Sequence, residues 1–248
     1  IDLSVGSTTA LSAYVAALTM QAGFGLVPAV LLALLAGAAV GSVNGLLVTR
    51  VGIPSFLVTL GMMQFVRGVD MWITFTHPVS VGNSTFNMLF GYGNFGPVPS
   101  LLVWSVVATA VMAVIFHLSP FGRQVLATGG NPIAAAYSGV NTKRIVFGSF
   151  VINGVAAALA GLLYTGMMRT ARYTFGEGAE LSVLAAVFIG GTSIRGGKGS
   201  IIGAFVGALL IGMINNGIII AGLDISQQKM VAGAIIILAV SFGAKRRG

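Results

Sequence analysis

Apolar residues run in long blocks along this chain, separated by short clusters of Gly, Pro, Asn and charged residues. A helix crossing a bilayer needs about 20 apolar residues and must satisfy its backbone hydrogen bonds internally, so each block reads as a membrane helix. No charge occurs between Asp2 and Arg50. That stretch holds two helices, Ser7 to Met20 and Val27 to Val48, broken at Gln21, Gly23, Gly25 and Pro28. Further spans are predicted over Pro54 to Thr76, Leu101 to His117, Ile145 to Met168, Ile201 to Leu223 and Met230 to Ala244. The run from Leu181 to Ile194 is marginal for a crossing and predicts a short or re-entrant helix. The expectation is an all-α, polytopic transmembrane helical bundle with about eight membrane segments in one transmembrane domain, residues 1–248.

Small residues recur on single helix faces: Gly37, Gly41 and Gly45; Gly154, Ala158 and Gly161; Gly203 and Gly207. Such stripes let another helix approach closely. Residues 77–100 are rich in Gly, Asn, Ser and Pro and read as an outer loop that carries a short interfacial helix. The polar connection from Arg169 to Glu180 contains Arg172 and Glu177, and both acids are expected at the outer rim.

One segment, Ala127 to Arg144, forms a helix too short to span. Asn131 suits the N-cap, Pro132 the first helical position, and Gly139 the left-handed residue that ends a helix. Ile133, Ala136, Tyr137 and Val140 share an apolar face, followed by Lys143 and Arg144. The pattern is that of a docking element.

Composition agrees with a membrane protein: 56% hydrophobic and 7% charged residues, against roughly 25% charged in soluble domains. With alternating spans, Arg50, Arg123, Lys143, Arg144, Arg195, Lys198, Lys245, Arg246 and Arg247 share one side, and Arg169, Arg172 and Lys229 the other. By the positive-inside rule the first side is cytoplasmic, which puts residues 127–144 in the cytoplasm and 77–100 in the periplasm. The net charge of +8 is then a topology signal, and nucleic acid is not an expected partner. The chain opens abruptly on Ile1 at the edge of an apolar run, so further residues are expected to precede it, with Asp2 inside a connection.

Catalytic and metal chemistry find little support. There is no cysteine, and His77 and His117 are far apart. The stretch GGTSIRGGKGS, from Gly190 to Ser200, fails as a nucleotide loop: Thr192 stands where the first glycine is needed, and Gly199 follows Lys198. Gly190, Gly191, Thr192, Gly196, Gly197 and Lys198 instead predict a tight cytoplasmic turn between packed helices. No HExxH, GxSxG or intramembrane aspartate pair is present, so no enzyme is expected. Arg67 and Asp70 lie three apart on one helix face, and charges at bilayer depth face protein or a polar cavity, so Arg67 is expected to neutralise Asp70. Gln64, Asn153, Asn215 and Asn216 are candidates for the translocation pathway or for interhelical hydrogen bonds, as is Asn44. With so few buried acids, the driving energy is expected from an external motor. A faint echo links Asp2-Leu-Ser-Val to Glu180-Leu-Ser-Val.

Three long motifs bear on identity: GIPSFLVTLGMMQFVRGV from Gly52, LATGGNPIAAAYSGVNTKRI from Leu126, and ELSVLAAVFIGGTSIRGGKGSIIGAFVGALLIGMINNG from Glu180, with IDLSVGS at the start. Together they resemble the bacterial ABC-transporter inner-membrane permeases for ribose, xylose, galactose and related sugars, of the type II importer kind, across essentially the whole chain. The resemblance implies about ten spans at full length, dimerisation or pairing with a sister permease, two cytoplasmic ATPase subunits that carry ATP and Mg, and a periplasmic or lipoprotein sugar-binding protein. It also implies that residues 130–139 form the coupling helix, with Gly130, Asn131, Pro132, Ala134, Ala135, Ser138 and Gly139 meeting the ATPase. The family's usual acid after the Gly-Asn pair is absent here, so docking by shape and apolar contact is expected over docking by charge. The alternatives are a branched-chain amino-acid permease, a gradient-driven transporter using Asp70 or Glu180, and a purely structural membrane protein.

Overall fold

The computed structural model describes residues 1–222 together with 224, 226, 227, 230, 231, 233 and 234. The predicted last span, Met230 to Ala244, with Lys229 and the terminal basic residues, lies almost wholly outside the described residues. The chain forms two compact units, Ile1–Val107 with Lys143–Glu180, and Ala108–Thr142 with the described residues from Leu181 onward.

The first unit is built around α1 (Val5–Gln21), whose Ala10, Ala13, Tyr14, Ala16 and Ala17 are fully buried. Thr8 Oγ1 donates to the Ser4 carbonyl at 2.8 Å and Thr9 Oγ1 to the Val5 carbonyl at 2.8 Å, which satisfies these hydroxyls within the helix. The antiparallel α2 (Leu26–Leu46) buries Ala29, Ala33, Gly37, Val40 and Gly41 and leaves Val27, Leu31 and Leu35 exposed, the division expected of a helix between protein and lipid. A π-type turn extends it from Leu47 to Val51, and Gly52 ends it at φ 83°. The glycine stripe of α2 meets α8 (Thr142–Met168): a side chain on Gly37 would run into the Gly154 carbonyl and lie 2.6 Å from the Ala158 methyl, and Gly41 abuts Phe150. Further along α8, Gly161 lies against the Thr9 carbonyl of α1. These backbone approaches need residues without Cβ and position the unit's helices.

Helix α3 (Ser55–Thr74) packs on α1 and α2. Residues 77–100 are more ordered than an outer loop. Strand β1 (Val79–Ser80) pairs antiparallel with β4 (Thr170–Ala171), α4 (Ser84–Asn87) continues into a π-type turn, and β2 (Asn94–Phe95) pairs with β3 (Val98–Pro99). Phe86 and Phe90 are buried and stack in series with Trp104 at 5.0 and 5.1 Å, so the segment folds into the apolar core. The Tyr14 hydroxyl ties this region down, donating to the His77 carbonyl at 3.1 Å and accepting the Tyr173 amide at 3.0 Å.

The second unit contains the end of α5 (Ser100–Ala113) with its π-type extension to Leu118, α6 (Pro120–Gly130), α7 (Pro132–Tyr137), α9 (Ala179–Ile189) and α10 (Ile201–Ile220). Gly203 and Gly207 of α10 press on Gly190 and Ala186. Each of the first seven predicted segments contains a helix, but five described helices are long and apolar enough to cross a membrane. Of the other predicted segments, α1 has 17 residues, at the short end of the range for a crossing, α9 has 11, the short helix expected there, and the eighth segment lies outside the described residues.

Candidate functional site

Two neighbouring helices form the predicted docking segment, which is not one helix: Ala127 to Gly130 finish α6, and residues 132–137 make α7. Asn131 Oδ1 accepts the amides of Ile133 at 3.1 Å and Ala134 at 3.0 Å, satisfying donors that an uncapped helix would leave open. Pro132 occupies the first turn, where its missing N–H is not needed. The Ser138 hydroxyl donates to the Ala134 carbonyl, and Gly139, at φ 85°, turns the chain out of the helix. Within α7 only Ala135 is buried; Ile133 and Tyr137, one turn apart, are 68% and 90% exposed. The result is a rigid, uncharged knob with an outward aromatic.

The Gly-rich turn supports this knob directly. Gly196 and Gly197 adopt φ 84° and 75° and pack backbone to backbone against Gly129 and Gly130, the last residues before the Asn131 cap. Inside the turn, the Ser193 amide donates to the Lys198 carbonyl at 2.9 Å and the Gly196 amide to the Ser193 carbonyl at 3.0 Å. These amides are committed to the turn itself, unlike those of a phosphate cradle. Gly191 has φ 88° and Gly190 abuts Gly203, so this end of α9 is locked to α10, while Thr192 donates its amide to Val187 and lines the turn beside Gly199. Two motifs read separately in the sequence are thus one assembly.

A second constellation lies inside the first unit. Asp2 Oδ1 accepts the Ser4 amide at 2.9 Å and the Ser4 hydroxyl at 2.7 Å, and Asp2 Oδ2 accepts Asn153 Nδ2 at 2.9 Å. Asn44 Nδ2 donates to the Ser4 hydroxyl at 2.9 Å, while its carbonyl oxygen is buried without a partner. Asn153 stands eleven residues inside α8, about 16 Å along its axis, and Asn44 seven residues before Val51. The N-terminus of α1 and the Asp2 carboxylate therefore sit at membrane depth. Glu180 joins them: its carboxylate faces Gly6 in the first turn of α1, 3.1 Å from where a Gly6 side chain would begin, and Gly176 packs on the same glycine. The expected outer-rim position is corrected for Glu180; Glu177 is exposed. After β4 the chain turns back onto α1 through the buried Phe175 and through Gly176, which packs on Gly6, while Arg172, Thr174, Glu177 and Gly178 are exposed.

Arg67 and Asp70 share a face of α3 without closing on each other through a hydrogen bond. Arg67 donates to the Phe175 carbonyl at 3.3 Å, and both oxygens of the fully buried Asp70 carboxylate lack a hydrogen-bond partner. The Phe175 carbonyl competes for the guanidinium. On α10 Asn215 is half-buried and Asn216 exposed. Of the predicted pathway residues, Asn153 joins this cluster, Gln64 is exposed on α3, and Asn215 and Asn216 belong to the second unit. Sequence reasoning did not place Asp2 or Glu180 in this constellation, although Glu180 was a candidate in the gradient-driven alternative and the Asp-Leu-Ser-Val and Glu-Leu-Ser-Val echo linked the two.

Over residues 1–240 the chain matches the family described as branched-chain amino acid transport system / permease component. The chain belongs to this family. It is 37% identical over 247 residues to the ribose import permease protein RbsC of Bacillus subtilis (strain 168), covering 99% of this chain and 77% of that one. Identity to the ribose import permease protein RbsC of Escherichia coli (strain K12) is 38% over 252 residues, 100% of this chain and 78% of the relative. The D-allose transport system permease protein AlsC of Escherichia coli (strain K12) is 36% identical over 247 residues, 97% of this chain and 74% of the relative. No solved structure matches. With five helices suited to crossing a bilayer, this family member is a multi-pass inner-membrane permease.

Proposed function

We propose that the chain is the permease subunit of an ATP-binding-cassette importer that carries a monosaccharide, of pentose or hexose type, across the bacterial inner membrane. The observation that carries this reading is 36–38% identity to ribose and D-allose import permeases along nearly the whole chain. The capped α7 knob, braced by the Gly-rich turn, suits the reception of force from a cytoplasmic ATPase subunit, which supplies ATP and Mg. The exposed Ile133 and Tyr137 make the contact apolar. A periplasmic or lipoprotein sugar-binding protein delivers substrate at the opposite face, and a second permease copy or sister permease completes the pathway. Rigid-body rocking of packed helices transmits the stroke.

A second reading, branched-chain amino acid import, is favoured by the family description. Competition separates the two: in cells carrying the whole transporter, uptake of labelled D-ribose or D-allose that unlabelled leucine leaves unchanged supports the sugar reading, and leucine uptake without sugar uptake contradicts it.

A further inference from the structure

Carboxylates at membrane depth need protein partners or water, because hydrocarbon solvates neither. Asp2, Asn153 and Glu180 are each partly exposed at the level where α1 begins, while Ser4 and Asn44 behind them are buried at 1% and 0% exposure. The partners of Asp2 are neutral: a serine amide and hydroxyl, and an asparagine amide. Its negative charge is oriented and left uncancelled by these contacts. Asn44 contributes a buried carbonyl oxygen with no donor, and its amide is already bonded into the cluster through Ser4. Glu180 brings a second carboxylate to the first turn of α1. The cluster is rich in acceptors and short of donors.

We propose that Asp2, Asn153 and Glu180 form a binding station for sugar hydroxyls inside the membrane, contacted by the substrate on its way through the permease. A polyol fits the inventory: its hydroxyls donate to the carboxylates, one of them accepts from the remaining Asn153 N–H, and neighbouring hydroxyls can engage both oxygens of one carboxylate. Being neutral, it adds no charge at that depth. Ser4 and Asn44 position Asp2 and do not touch the sugar. Gly6 and Gly176 let the segment that carries Glu180 lie against the first turn of α1, since a side chain at Gly6 would collide with the Gly176 carbonyl.

This inference rests on the sugar-import reading, and one experiment separates their failures. The full transporter, reconstituted with its ATPase and binding protein, is assayed for D-ribose and D-allose uptake with wild-type, Asp2→Asn and Glu180→Gln permease, each verified as an assembled complex. Loss of one charge-assisted hydrogen bond predicts a fall in uptake of about tenfold or more for each variant. Because the chain has no cysteine, Asn153→Cys provides a second readout that does not depend on transport rate. A membrane-impermeant methanethiosulfonate reagent is expected to modify position 153 in the assembled transporter, with the sugar slowing modification about threefold or more at sugar concentrations of about twice its Kd and above. Wild-type import with unaltered Asp2→Asn and Glu180→Gln uptake overturns the station, as does modification that sodium slows and sugar does not. Absence of wild-type sugar uptake overturns the sugar reading itself.

Discussion

Gly129 and Gly197 meet backbone to backbone: a methyl group placed on Gly129 would lie 2.9 Å from the Gly197 amide nitrogen. The contact joins the end of α6 to the Gly-rich turn, so movement of α7 reaches α9 and α10 through main chain. Gly197 also holds φ 75°, which a β-branched residue adopts only with strain. Gly197→Val is expected to uncouple the transporter, with ATP hydrolysis continuing while uptake falls about tenfold or more. The check is the ratio of sugar imported to ATP hydrolysed in proteoliposomes.

The contact of Gly37 with Gly154 sets how closely α2 and α8 approach. Gly37→Leu forces the helices apart and overpacks the interface, with an expected drop in melting temperature of about 5 °C in detergent. Gly61→Leu is the control, since nothing lies within 4 Å of the place its side chain would take. Thermal unfolding of the two variants should differ accordingly.

Tyr137 and Ile133 are the exposed large apolar residues of α7, the proposed docking knob. Tyr137→Ala and Ile133→Ala are each expected to weaken association with the ATPase subunit about tenfold, and added salt should change the wild-type affinity little. Titration of purified permease with its ATPase subunit measures both effects.

Asp70 is buried and its carboxylate oxygens accept no hydrogen bond, while Arg67 one turn away serves the Phe175 carbonyl. Asp70→Asn is expected to raise the melting temperature by about 2–4 °C, because an ionisable carboxyl group buried without a hydrogen-bond partner is replaced by an amide that costs less to bury. Arg67→Ala is expected to lower it, by releasing the segment around Phe175. Thermal unfolding of the single and double variants decides whether the two residues act as a pair.

Much of the fold was legible because its determinants are local. Apolar blocks placed α1, α2, α3, α5, α8 and α10; the Asn131 cap, Pro132 and Gly139 placed α7; and the glycine faces of α2, α8 and α10 announced close helix contacts. What stayed hidden depends on contacts far apart in sequence. Residues 169–180 look polar and therefore external, yet Gly176 packs on Gly6 and carries Glu180 inward. Helical spacing put Arg67 beside Asp70 but did not reveal the competing Phe175 carbonyl. In the same way, residues 77–100 resembled an open loop because the stacking of Phe86 and Phe90 on Trp104 cannot be read from periodicity.

The most direct test of the central claim is D-ribose and D-allose uptake by the reconstituted permease, binding protein and ATPase, with an active ATPase subunit or one unable to hydrolyse ATP. Accumulation that requires the active ATPase is the result expected of an ATP-driven sugar importer. Equal accumulation with the inactive ATPase, or uptake by the permease alone driven by a proton or sodium gradient, would contradict it.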